Sequence, residues 1–211
     1  MNGEGLRVRV TGGFVVSFTL MLLLCGTDGF VAALVGTLLH ELAHGAAVRL
    51  CGGSVASFTM TFGGFSMDGR FPHGTSYPQE IFCLFAGALT NLTAGAILRC
   101  AGGNDPFLLL LAGANLSLGL FNLIPAGALD GGKIVRLIAE ASLGPGKGEL
   151  AAAAISASCA AAVFCVGILL LVQKSDWRAL AACVYLSFFL GCDIISVTRR
   201  RSRAAEKPFG F

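Results

Sequence analysis

The chain has 211 residues, 55% of them hydrophobic and only 13% charged, with a mean hydropathy of +0.78. An ordinary soluble domain carries about 25% charged residues, so a water-soluble globular protein is excluded and most of the chain belongs in lipid. The net charge of +3 is small, and the arginine-rich tail "TRRRSR" reads as a basic membrane flank, not as a nucleic-acid-binding arm.

A spanning helix needs roughly 17–25 predominantly apolar residues. Six segments qualify, at about 10–26, 30–50, 79–100, 106–128, 150–172 and 179–198. The first is followed by "TDG" and by further spans, so no cleavable leader is expected. The second holds "VGTLLHELAHGAAVRL", in which His40, Glu41 and His44 interrupt an otherwise apolar run. Next comes "VASFTMTFGGFSMD", where apolar Ala56, Phe58, Met60 and Phe62 alternate with Ser57, Thr59 and Thr61 before Gly63-Gly64. Period two around a glycine turn predicts a β-hairpin. Backbone of that kind at membrane depth survives only buried in protein or lining a wet cavity. The fourth segment starts at Pro106, a favoured first helical position, and is expected to end at Asp130 after Pro125. A short helix and linker at 133–149 lead through "GPGKG" to the fifth. The fold class expected is an all-α polytopic membrane protein of about six transmembrane helices, with a small membrane-associated β-hairpin between helices 2 and 3. No internal repeat is visible, and no separate soluble domain is expected at either end.

The positive-inside rule sets the orientation. With a cytoplasmic N-terminus and six spans, twelve of the fifteen lysines and arginines face the cytoplasm, leaving Arg99, Lys174 and Arg178 opposite. Both termini are then cytoplasmic, and His40 and His44 lie in the membrane nearer that side. The eight cysteines form no CxxC pair and read as small apolar packing residues, with no disulfide framework.

Ionisable groups inside a membrane helix carry an insertion cost and mark function by default. His40-Glu41-x-x-His44 is the HExxH pattern. Residues four apart on a helix are offset by about 40°, so both imidazoles can address one zinc ion while Glu41 reaches a water beside it. Two interhelical core histidines are the bland alternative, and they leave that cost unexplained. A catalytic zinc needs a third protein ligand and an open position. His73 sits in a surface-loop context, Asp193 near the interface and Glu140 in a polar connection. Asp130, in "FNLIPAGALDGGKI", matches His44 best in depth, although alone it reads as a solvated Pro/Gly helix end.

Taken together, HELAH and Asn122-x-x-Pro125-x-x-x-x-Asp130-Gly131-Gly132 resemble the site-2 protease family of intramembrane zinc metalloproteases. "FAGALTN", carrying Asn91, is similar to that family's A-G-P-x-x-N stretch, and "GGSV…GG" to its element after the histidine helix. The resemblance covers residues 30–140, the expected catalytic core of a single membrane domain spanning 1–211. Ala88 replaces the usual proline, and Ala126 and Gly127 make the segment before Asp130 poorer in proline. Without PDZ or CBS domains the chain is most similar to the compact branch, which includes the bacterial sporulation protease that processes a pro-sigma factor.

The resemblance implies one zinc per chain held by His40, His44 and Asp130, with Glu41 as general base. It implies substrate-binding or oxyanion roles for Asn91 and Asn122. Asn115, seven residues before Asn122, reads as a packing residue. The implied partners are a transmembrane protein substrate, the bilayer and a regulatory membrane protein. Strand 56–62 would offer an edge to an unwound substrate. Two alternatives stay open: an inactive relative that escorts membrane proteins, and a small metal transporter.

Overall fold

The computed structural model describes residues 7–61, 64–71, 75–127 and 129–174. The sixth expected segment, His73, Asp193 and the basic tail lie outside them. The chain divides into two compact units, Met1–Asn122 and Leu123–Phe211.

The first unit opens with strand β1 (Arg7–Val10) and helix α1 (Gly12–Leu50, 39 residues). A straight helix of that length would run about 58 Å, at 1.5 Å per residue. Yet β1 pairs in parallel with β2 (Ser54–Thr61), which directly follows α1, with Arg7 opposite Ser57 and Val10 opposite Met60. The chain must therefore double back within α1. It does so at Gly26, whose φ of 68° and ψ of −178° lie in a region essentially reserved for glycine. Two arms result, 12–25 and 27–50, and the packing of Phe18 on Phe30, with ring centroids 4.7 Å apart, ties one to the other. The expected segments 10–26 and 30–50 are these two arms.

Strand β3 (Gly64–Arg70) pairs antiparallel with β2, from Thr61 opposite Gly64 to Ser54 opposite Arg70. The expected hairpin is present, with a register shift between Val55 and Ser57 that leaves Ala56 as a bulge. It belongs to a three-stranded sheet in the order β1-β2-β3. This corrects the expectation for strand 56–62. β2 is the central strand, its two edges taken by β1 and β3, so it has no edge to offer. The sheet lies on the second arm of α1, where a Cβ on Gly45 would meet Met67 Sδ at 3.1 Å.

Helix α2 (Tyr77–Ala101) starts with a reciprocal cap in which the Ser76 backbone N–H donates to Gln79 Oε1 at 3.1 Å. Gly103, at φ 57°, turns the chain, and Asp105 accepts the Leu108 N–H at 2.8 Å to open α3 (Pro106–Asn122). α2 and α3 approach through glycine. A Cβ on Gly95 would lie 3.0 Å from the Ala112 carbonyl, and one on Gly119 equally close to that of Ala88. Small residues of this kind let membrane helices pack backbone to backbone.

In the second unit, a broken stretch from Leu123 leads to α4 (Asp130–Leu143) and α5 (Pro145–Lys174). Two expectations are corrected here. The fourth segment stops at Asn122 instead of 128, because Pro125 lacks the N–H a helix needs and clashes with the preceding turn. Asp130 therefore begins a helix and does not end one. Gly144, at φ 81°, ends α4, and Pro145 starts α5 at once. Three described helical segments, Cys25–Leu50, Tyr77–Ala101 and Pro145–Leu169, are long and apolar enough to span a bilayer, and Gly12–Leu23 and Pro106–Asn122 are shorter apolar helices. The chain is an integral membrane protein.

Candidate metal centre

His40, Glu41 and His44 sit on the second arm of α1. His44 lies six residues before Leu50, the last residue of the arm, which at 1.5 Å per residue puts it about 9 Å inside. His40 is 4% exposed and Glu41 8%, while His44 is half-buried. The helical offset brings the two imidazoles together: the Nε2 atoms are 3.1 Å apart and the rings stand at 89° to each other. Two nitrogens about 2.0–2.1 Å from one tetrahedral ion are roughly 3.3–3.4 Å apart, so the pair has nearly the spacing that a shared zinc requires.

α2 fixes this pair from the side. The Nδ1–H of His44 donates to the Cys83 carbonyl at 2.7 Å. That bond sets the tautomer, leaves the lone pair on Nε2 and raises its basicity toward a metal. One turn further along α2, Gly87 faces both rings. A Cβ there would lie 2.6 Å from His44 Nε2 and 2.8 Å from His40 Cε1. The absent side chain at 87 is the space in which the imidazoles stand. The sequence places Gly87 inside "FAGALTN", but only the packing reveals what it does.

The asparagines separate. Asn91 is fully buried on α2, and among the described residues neither end of its carboxamide has a hydrogen-bond partner. A buried amide left that way is costly, which fits a group kept for a ligand. Asn115 is also buried; its Nδ2 donates to the Leu111 carbonyl at 2.9 Å, and it packs on the bare face of Gly36. Asn122 donates to the Leu118 carbonyl at 3.0 Å within its own helix, an ordinary local contact.

In the second unit, the turn ahead of α4 presents Asp130. Leu129, in extended conformation, caps the helix, and Asp130 lies in its first turn, where the helix dipole favours a carboxylate. It is buried and pairs with Lys133 Nζ at 3.1 Å. Gly131 and Gly132 press against the carbonyls of Leu123 and Ala126, leaving no room for a Cβ at either position. The Gly127 N–H donates to Ser156 Oγ on α5 at 2.9 Å. Backbone packing thus holds the Asp-Gly-Gly turn. Among metal-binding residue types, His40 and His44 each offer one ring nitrogen and Asp130 one carboxylate oxygen.

Comparison with known proteins agrees with this chemistry. Residues 98–168, which carry the Asn122-to-Gly132 motif, match the family model described as Peptidase family M50. The chain is 41% identical over 125 residues to the putative zinc metalloprotease Rip3 of Mycobacterium tuberculosis, covering 54% of this chain and 31% of that one. It is 31% identical over 148 residues to the zinc metalloprotease MJ0392 of Methanocaldococcus jannaschii, covering 66% of this chain and 42% of that one. The chain thus spans less than half the length of these curated relatives. Its fold matches the site-2 protease from M. jannaschii with a TM-score of 0.65 and 24% identity, over 93% of this chain and 92% of the other. Over residues 98–168 the chain is similar to the M50 peptidases, and its fold is that of a site-2 protease.

Proposed function

We propose that the protein is an intramembrane zinc metalloprotease that hydrolyses a peptide bond in or near the transmembrane segment of a membrane-associated protein. The observation that carries this reading is the convergence of the His40 and His44 Nε2 atoms at 3.1 Å inside an apolar helix. The residues fit a zinc ion: the lone pair on His44 Nε2 is fixed by the Cys83 carbonyl, and Gly87 leaves the space a side chain would fill. His40, His44 and Asp130 would hold it, a two-nitrogen, one-oxygen set of the kind catalytic zinc sites use.

When bound, zinc supplies Lewis acidity toward the scissile carbonyl and toward water. The chain does the rest. Glu41, next to His40 and buried with it, takes a proton from the attacking water and later gives it to the departing amine. The carboxamide of Asn91 offers a donor for substrate backbone or for charge developing on the carbonyl oxygen. A helical substrate must first unwind, because its carbonyls are tied up in i to i−4 bonds. The outer edge of β3, which pairs with no described strand, is the place for it to add. A photo-crosslinker at Phe65 should capture a bound substrate; no capture, with turnover intact, removes the edge from the mechanism. The cytoplasmic bias of lysine and arginine supports cytoplasmic termini and a site nearer that face.

The decisive experiment measures zinc in detergent-purified protein, wild type beside Asp130→Ala. One zinc per chain, sharply reduced in the variant, is expected. Folded wild-type protein with no zinc would overturn the reading and turn attention to membrane-protein escort.

A further inference from the structure

The eight cysteines are scattered through the sequence with no paired spacing, yet the fold brings two of them together in the first unit. Cys51 caps the C-terminal end of α1, and Cys83 lies in the second turn of α2. The Cys83 thiol donates to Cys51 Sγ with the sulfurs 3.9 Å apart. Cys83 is buried in a small cluster with Ala47 and Val48, and Cys51 packs on that cluster from its half-exposed position at the end of the arm. All six described cysteines are free thiols.

We propose that Cys51 and Cys83 are an oxidisable dithiol, and that their disulfide alters the anchor of His44. A disulfide needs its sulfurs at about 2.05 Å, so about 2 Å must close. Cys51 can supply much of that, because it stands just past the last helical residue with φ −81° and ψ 9° and no following helical turn constrains it. Its partial exposure at the helix end also gives an aqueous oxidant access, which Cys83 lacks. Redox-active cysteines are commonly solvent-accessible and stand beside a resolving thiol; Cys51 is partly exposed and has Cys83 beside it.

With hydrogen peroxide the chemistry is balanced. Cys51 sulfur forms an S–O bond as the peroxide O–O bond breaks and one water leaves. Cys83 sulfur then forms the S–S bond as the S–O bond breaks, and the departing hydroxide takes the Cys83 proton as a second water. Two electrons pass from the sulfurs to the peroxide.

The second clause rests on the zinc reading. The carbonyl that orients His44 belongs to Cys83 itself, at 2.7 Å, so a bond that draws residue 83 toward the end of α1 acts on the residue holding the imidazole. Oxidation should then change how fast the protein gives up zinc to a chelator, by about 10-fold, the usual cost of losing a hydrogen bond that orients a metal-binding imidazole.

The test uses the whole chain in detergent, fully reduced and then titrated with peroxide. Non-reducing digestion and mass spectrometry should find a Cys51–Cys83 peptide at low oxidant, and Cys51→Ser should leave Cys83 alkylatable after unfolding. Cys83 remaining a thiol in the wild type, or pairing with another cysteine, overturns the proposal. Zinc release to a chelator is then timed before oxidation, after it and after re-reduction, in wild type and Cys51→Ser. A change confined to oxidised wild type and reversed by dithiothreitol is expected. Equal rates, with the disulfide formed, overturn the link to His44. Protein that holds no zinc in any state overturns the link together with the metal reading, while the crosslink still decides the dithiol.

Discussion

The HELAH helix and the Asp-Gly-Gly turn both present side chains of metal-ligand type, and they do so by opposite means. In the second arm of α1 the backbone is regular, and the position of each side chain follows from its number. His40 and His44 meet because 3.6 residues make a turn, and α2 merely holds them. Around Asp130 nothing is periodic. The carboxylate is placed by a helix that stops at Asn122, a proline-broken stretch, and two glycines packed against carbonyls. Side-chain pairs set by helical period tolerate change in their neighbours; a side chain set by an irregular turn depends on every backbone contact in that turn.

Substitutions can break that contrast or sharpen it. The largest effect is expected at Glu41→Gln, which keeps the helix and its two imidazoles but removes the carboxylate proposed as the base. Peptide hydrolysis should fall by about 10²–10⁴-fold, the usual worth of a general base, with zinc content unchanged. Loss of zinc in that variant would mean Glu41 is a ligand. Next come Gly87→Ala and Gly132→Ala, the same chemical change in the two regions. At 87 the new methyl meets the ends of two rings, so zinc affinity should drop by about 10–100-fold, as when outer-shell partners are altered, while thermal unfolding barely moves. At 132 the methyl would overlap the Ala126 backbone, so stability itself should fall by about 4 kcal/mol or more, the range reserved for severe overpacking. Unfolding midpoints and zinc titrations on both proteins check the pair; matching profiles would erase the distinction. The smallest effect is expected at Gly36→Ala. Its Cβ would touch the Asn115 carboxamide at 3.5 Å, ordinary contact distance, and replacing a mid-helix glycine gains about 0.5–1 kcal/mol of helix propensity. A small rise in melting temperature with unchanged zinc is the outcome to look for.

The same contrast explains what was legible from sequence alone. Helical arms, the β-hairpin and the histidine pair follow from period and spacing, and they appear where expected. Asp130 is picked out as a candidate by its depth and its flanking glycines, but the helix it begins is not foreseen. Hydropathy continues unbroken through Leu123 and Ile124, so the composition runs past the point where Pro125 ends the regular backbone. β1 is missed because "RVRV" is four residues long, too short for alternation to stand out. The Cys51–Cys83 contact joins residues far apart in sequence, and no spacing rule reaches it. Gly87 escapes for a different reason: a glycine that matters by having no side chain leaves no sign of which neighbour occupies the space.

The pairing of β1 with β2 also orders events during synthesis. Arg7 finds its partner at Ser57, on the far side of a helical hairpin, so β1 leaves the ribosome long before anything exists to receive it. Both arms of α1 must be inserted and reversed at Gly26 before the sheet can begin. Non-local pairings of this sort come late, because the loop between them has to close first. The sheet that lies against the histidine helix is therefore assembled after that helix is in the membrane, and a nascent chain stopped before residue 57 would have its histidines in place and no sheet beside them.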